Sequence, residues 1–322
     1  MMMRSSRAAC LLIVLVALVA FSPEPRTAAP KHPSWVVMIE DISPKFVDFY
    51  DAASAPGLTP DQRWALWKSK YDFAAVPPIA TRDKLAREQL EEAWPKYAAA
   101  MPRLRRGAAG LAPNPQLRLN SVATLLGAQV PLRIRLIAFV GYFHRNAFAT
   151  GFQNGVSTIA IPLEDSDEEH ALDMTHEFTH AVQRQIGKGW DQQSVASAIF
   201  SEGLAMHVTE KLDPGLPTNA YATSSPEWFK SCQTRLREVL AELKPHLADQ
   251  GADAVAKFIY QTGSAGIDRE IYCAGWTIVG DLQKRGLSLR RLGSMSRADA
   301  ERKVEGEFSK RIQLKSTALG NK

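Results

Sequence analysis

Between residues 36 and 110, apolar positions recur every three or four residues, the period of helices with one buried face. Ile42, Phe46, Phe49 and Tyr50 make such a stripe across residues 41–53. Thr59-Pro60-Asp61 reads as a helix start with proline at the first helical position, leading into Trp64, Leu66, Trp67, Tyr71 and Phe73 and ending at Pro77-Pro78. Thr81 stands where it can cap a helix over 82–100, with Leu85, Leu90 and Ala93 on its apolar face and a kink expected at Pro95. Aromatic residues at these spacings are core rather than ligand sites. Residues 36–110 therefore predict an N-terminal helical layer with no chemistry of its own. Residues 107–115 read as a loop, and 114–127 as a further helix.

The period changes after Pro131. Residues 131–140 alternate at first and then run apolar, which predicts a strand. Residues 151–155 carry two glycines and read as a turn, and 156–161 as a second strand. Pro162 closes that strand and cannot donate to a ladder, which favours an edge position. The acidic run at 165–169 suits the start of a helix, where carboxylates complement the dipole. That helix continues through Leu172, Met174, Phe178, Ala181, Val182 and Ile186 to Gly187. After a loop at 191–194 the pattern is helical again over 194–211.

The two ends fall outside this fold. Arg4 and Arg7 precede a short apolar run from Cys10 to Phe21, too short for a transmembrane helix and of the kind found in export signals. Residues 1–22 are accordingly expected to be a signal peptide, with cleavage after Ala20 or as late as Ala29, or an uncleaved anchor as the one contact with a membrane. Residues 23–35 read as a proline-rich linker, 111–312 as a second domain that carries the candidate chemistry, and 313–322 as a tail. The expected location is the periplasm or exterior of a bacterium. The formal charge is +5, and removing Arg4 and Arg7 leaves about +3, too mild to argue for a nucleic-acid partner. Only Cys232 and Cys273 of the 3 cysteines lie beyond the apolar run. In an exported protein they predict one disulfide, two buried thiols being the alternative.

Candidate chemistry concentrates at His176-Glu177-Phe178-Thr179-His180. Helical residues four apart lie one above the other, so two imidazoles at this spacing converge on one ion, and zinc suits them. Glu177 follows the first ligand directly and can reach a water beside the ion as general base. A catalytic site needs a third ligand. Glu202 is the choice, 22 residues after His180 on the returning helix, with Gly203 beside it to let the two helices approach. Among the rivals, His170 lies off the ligand face, and His207, about 140° round the helix from Glu202, cannot share its ion. Asp173 suits an acceptor for a ligand N–H, and Glu210 is the remaining carboxylate nearby.

His176-Glu177-Phe178-Thr179-His180 with Glu202-Gly203-Leu204-Ala205 resembles the gluzincin clan of metallopeptidases. Over roughly residues 130–295 the chain is similar to an uncharacterised bacterial family described as predicted zinc-dependent proteases. Tyr272, Gly275 and Trp276 in a late apolar helix, followed by Leu287-Ser288-Leu289, fit that family. The resemblance implies an α+β, mostly helical, zincin-like catalytic domain with a small sheet whose edge strand borders the cleft. It implies one Zn2+ per chain on His176, His180 and Glu202, Glu177 as base, and a peptide or protein substrate. Tyr272 is the candidate donor to the oxyanion, with Tyr221 and His207 behind it. Two other functions use the same residues: an amidase acting on cell-wall peptides, and an inactive zincin-fold binding protein of the cell envelope.

Overall fold

In a computed structural model of the chain, which describes residues 34–76, 81–191 and 193–313, the first element is a strand and not part of a helical layer. The expected signal peptide, nearly all of the linker and all of the tail but Gln313 lie outside the described residues. β1 (Trp35–Asp41), β2 (Leu132–Phe139), β3 (Phe148–Gln153) and β4 (Val156–Pro162) form one sheet in the order β1-β2-β4-β3. β1, β2 and β4 run parallel, and β3 lies antiparallel to β4 at one edge. The chain is thus α+β and mostly helical, with a small mixed sheet.

β4 is an inner strand, so Pro162 does not mark an edge. The proline is tolerated for a local reason. Leu163 N–H supplies the last bond to β2, reaching Phe139 O at 2.8 Å. On the other side β3 begins opposite Ala160, so the ladder has ended before the missing donor falls due. The edge beside β4 is β3, which overlaps the stretch at 151–155 expected to be a turn.

Between β1 and β2 lie α1 (Ser43–Ala53), α2 (Pro60–Lys70), α3 (Arg82–Leu104) and α4 (Pro115–Leu126). Thr59 caps α2 in a reciprocal bond pair with Gln62, and Pro95 sits inside α3 without ending it. The aromatic stripe is core: Phe46 is fully buried, with Tyr97 at 4.8 Å and Tyr71 at 5.3 Å between ring centroids. Two of these rings also reach the segment after β2. Tyr71 Oη donates to Val140 O at 2.9 Å and accepts from Val140 N at 2.8 Å, and Tyr97 Oη donates to Gly141 O at 2.7 Å. Glu164 accepts from Gly141 N and Phe143 N. The helices over 36–110 therefore fix the loop that runs on through His144 to Ala147, and one hydrophobic core spans both halves of the chain.

α5 (Asp167–Ile186) leaves β4 directly and packs on β3 and β4. Ser166 and Glu169 form its reciprocal N-terminal cap, and Asp167, Glu168 and Glu169 fill its first turn. α6 (Val195–Leu212) is buried continuously from Val195 to Thr209, because α5 covers one side and later helices the others. The chain continues through α7 (Thr218–Tyr221), α8 (Pro226–Thr234), α9 (Leu236–Leu243), α10 (Ala252–Tyr260), α11 (Glu270–Lys284), α12 (Leu289–Gly293) and α13 (Arg297–Gln313). Cys232 of α8 and Cys273 of α11 are joined by a disulfide, the pairing expected of the two cysteines beyond the apolar run, and not two free thiols.

Gly203 does allow a close approach, though to α11 and not to the first metal helix. A Cβ at Gly203 would stand 2.3 Å from Gly275 O, and one at Gly275 would stand 2.5 Å from Ile199 O. Both obstacles are backbone, so neither can rotate away. Gly203→Ala is expected to cost about 2–3 kcal/mol by overpacking, a fall in Tm of about 4–10 °C. A thermal melt within 1 °C of the parent, read as about 1 °C of scatter, would show that the two helices have room to separate.

Candidate metal centre

The four-residue step from His176 to His180 stacks both imidazoles on one side of α5, with ring centroids 4.8 Å apart. α6 returns alongside and brings Glu202 between them. Glu202 Oε2 lies 3.0 Å from His176 Nε2, and Oε1 lies 3.4 Å from His180 Nε2. Donor atoms of the three residues all lie within 4.8 Å of one another. An ion held tetrahedrally by imidazole and carboxylate at about 2.0–2.1 Å keeps its ligands about 3.3 Å apart, so the two separations between Glu202 and the imidazoles fit one. Among the described residues this is the one group of three or more such side chains able to hold a metal ion.

The tautomer of His180 is set by a chain of hydrogen bonds. Ser201 Oγ donates to Gln183 Oε1 at 2.6 Å, which leaves the hydroxyl oxygen to accept from His180 Nδ1–H at 2.9 Å. With its proton on Nδ1, His180 presents the Nε2 lone pair to the site. Removing such an outer partner of a ligand typically lowers metal affinity about 10- to 100-fold. Ser201→Ala is expected to show that loss in competition with a chelating dye, while Ser201→Thr keeps the hydroxyl and most of the affinity. Equal affinities in the two variants would mean that Nδ1 needs no acceptor.

The electrostatics of the ligand group favour a positive charge here. Burial pushes the Glu202 carboxyl up, but His180 and His176 outweigh it and hold the group well below the usual carboxylate range. Burial pulls the His176 imidazolium down, and the Glu202 carboxylate reverses this, leaving it raised. Glu177 is raised by burial, with His176 and His180 pulling it back, and it makes no hydrogen bond or ion pair among the described residues. Its carboxylate faces a cleft of about 340 Å³ lined also by His176, His180, Glu202 and Tyr272.

The rival ligands are engaged elsewhere. His170 Nε2 donates to Pro162 O at 2.8 Å, at the end of the sheet. His207 Nε2 donates to Trp276 O at 2.9 Å, its ring stacks on Trp276, and Glu210 faces its Nδ1 at 3.3 Å. Asp173 lines the cleft but binds Arg145 at 2.7 Å, and its other oxygen has no partner, so it does not orient a ligand imidazole. Of the candidate oxyanion donors, Tyr221 Oη donates to Asp213 O at 2.9 Å, and neither Tyr221 nor His207 lines the cleft. Tyr272 does, with the Arg269 guanidinium 4.1 Å above its ring.

Three contributions to the cleft were not read from the sequence. Tyr260 at the end of α10 stands in the wall; crowding there and the carboxylates of Glu202 and Glu177 push its phenol up to about 12, although the residue is 53 % exposed. Ala147, Phe148 and Ala149 bring edge strand β3 to the opening. Arg184, a second four-residue step beyond His180, extends the ligand face of α5, and that spacing was a usable signal. No protein-family model, curated protein or solved structure matches the chain.

Proposed function

We propose that the chain is an exported zinc peptidase of zincin-like fold, which hydrolyses peptide bonds with Glu177 as general base. The observation that carries this reading is the position of Glu177. A carboxylate with no hydrogen bond or ion pair among the described residues lines the same cleft as a His-His-Glu ligand group. A site that only holds a metal has no use for it. Two imidazoles and one carboxylate suit zinc, and three protein ligands leave a position open.

Zinc held by His176, His180 and Glu202 would supply Lewis acidity and lower the pKa of a water. Glu177 takes a proton from the attacking water and returns it to the departing amine, so the products are a carboxylate and a free amine. Tyr272 and Tyr260 keep their protons at neutral pH and can donate to the carbonyl oxygen as it gains charge. β3 offers an edge along which an extended peptide can pair, next to the ligands. Export is supported by Arg4 and Arg7 ahead of the short apolar run. No helix among the described residues is long and apolar enough to cross a membrane.

Zinc-loaded protein is expected to cleave unfolded casein, to stop when a chelator removes the metal, and to resume when zinc is returned. Intact casein beside protein that retains one zinc per chain would overturn the peptidase reading.

A further inference from the structure

Arg184 has no hydrogen-bond or ion-pair partner among the described residues. Its Nη1 is shut off from solvent without a hydrogen bond, and no carboxylate lies within ion-pair distance among the described residues. The other two arginines of the cleft are occupied. Arg145 pairs with Asp173 and Glu169, while Arg269 donates to Thr223 O at 2.7 Å and Ala222 O at 3.3 Å. Arg184 is half-buried, so its remaining nitrogens reach the cleft, while the one cut off from water and unpaired is costly unless an acceptor arrives to meet the group.

Its position says where that partner stands. His176, His180 and Arg184 follow one another at four-residue steps, each advancing about 6 Å along α5 and drifting about 40° round it. Arg184 therefore lies one step past the ligands, a distance that about two residues of extended peptide cover. The charge of the whole cleft agrees. Arg145, Arg184 and Arg269 balance Asp173, Glu177 and Glu202, so a divalent ion on the ligand group leaves an excess of positive charge.

We propose that Arg184 is a specificity-determining residue that binds a carboxylate of the peptide substrate within about two residues of the reacting bond. This rests on the peptidase reading above. Two sources share that chemistry, the free C-terminus of a short peptide and the side chain of an internal Asp or Glu. Either fills the guanidinium fork with charge-assisted bonds, which a neutral amide of the same shape cannot do.

The test is equilibrium binding, so that it does not depend on turnover. Zinc-loaded Glu177→Gln protein is titrated calorimetrically with four blocked tripeptides. One pair differs only in a free C-terminal acid or its amide; the other pair, both amides, differs only in Glu or Gln beside the central bond. One pair is expected to show a Kd ratio, neutral over charged, of about 10 to 100. In Glu177→Gln/Arg184→Gln protein with its zinc retained the ratio should fall close to one, and Arg184→Lys should restore part of it. The pair that carries the ratio identifies the source. A ratio near one before Arg184 is changed overturns the assignment. So does a ratio that survives Arg184→Gln, which would mean that the metal ion takes the carboxylate. Failure of all four peptides to bind, with casein also left intact, would remove the peptidase reading and this assignment with it.

Discussion

Glu177→Gln is expected to lower casein turnover by about 100- to 10,000-fold, the usual consequence of losing a general base, while zinc content and Tm stay near those of the parent. The separation of effects follows from geometry. Glu177 is rotated 100° from His176 on an ideal helix, so its side chain can lean over the ligand group without joining it. It forms no hydrogen bond or ion pair among the described residues, and glutamine keeps its shape. Burial raises the carboxyl, so in the parent its affinity for a proton already lies closer to that of the water it must deprotonate. His176→Ala is the contrasting variant, expected to lose zinc and activity together. Metal analysis and cleavage assays on the two variants beside the parent decide the matter. An active Glu177→Gln protein, or one inactive only because its zinc has gone, would remove the proposed mechanism.

The parts of the fold that were legible in the sequence are those whose burial is one-sided or complete. β2 buries alternate residues and α5 carries a wide apolar face, so both announce their period. β1 did not, because Val36 and Ile39 stay 40 % and 48 % exposed, and an apolar run without alternation reads equally well as the start of a helix. β3 is mostly exposed and carries a bulge between Thr150 and Phe152, so it is a strand through pairing with β4 and not through its own pattern. Pro162 misled for a related reason: its missing donor matters only on the side where a neighbour continues, and β3 begins two residues short of it.

The site divides in the same way. Ligand spacing along α5 is local, and Glu202 could be chosen because the chain needs only to turn once to bring it back. Ser201 could not, since its role appears only when α6 lies beside Gln183 and His180. The support that Tyr71 and Tyr97 give to Val140 and Gly141 spans 69 and 44 residues, and no periodicity encodes a pairing of that range. An aromatic residue read as core was core, and its hydroxyl was also holding the loop that borders the cleft.

Glu202→Gln is expected to abolish stable zinc binding, a larger effect than the about 10- to 100-fold loss from removing an outer partner such as Ser201. Glutamine can still accept a hydrogen bond from His176, so the helices need not move. What disappears is the negative charge that His180 and His176 hold ionised. A Tm measured with and without zinc separates the two outcomes. With zinc at about 100 times its Kd, mass action stabilises the parent by about 2.7 kcal/mol, a rise in Tm of about 5 °C for a domain of this size. Glu202→Gln should melt at the same temperature with and without the ion. His207→Ala should keep the parent's zinc-dependent rise, because His207 is committed to Trp276 O outside the cleft. If the rise survives in Glu202→Gln and vanishes in His207→Ala, the third ligand is His207, and the contact between Glu202 and the two imidazoles is an ion pair without a metal.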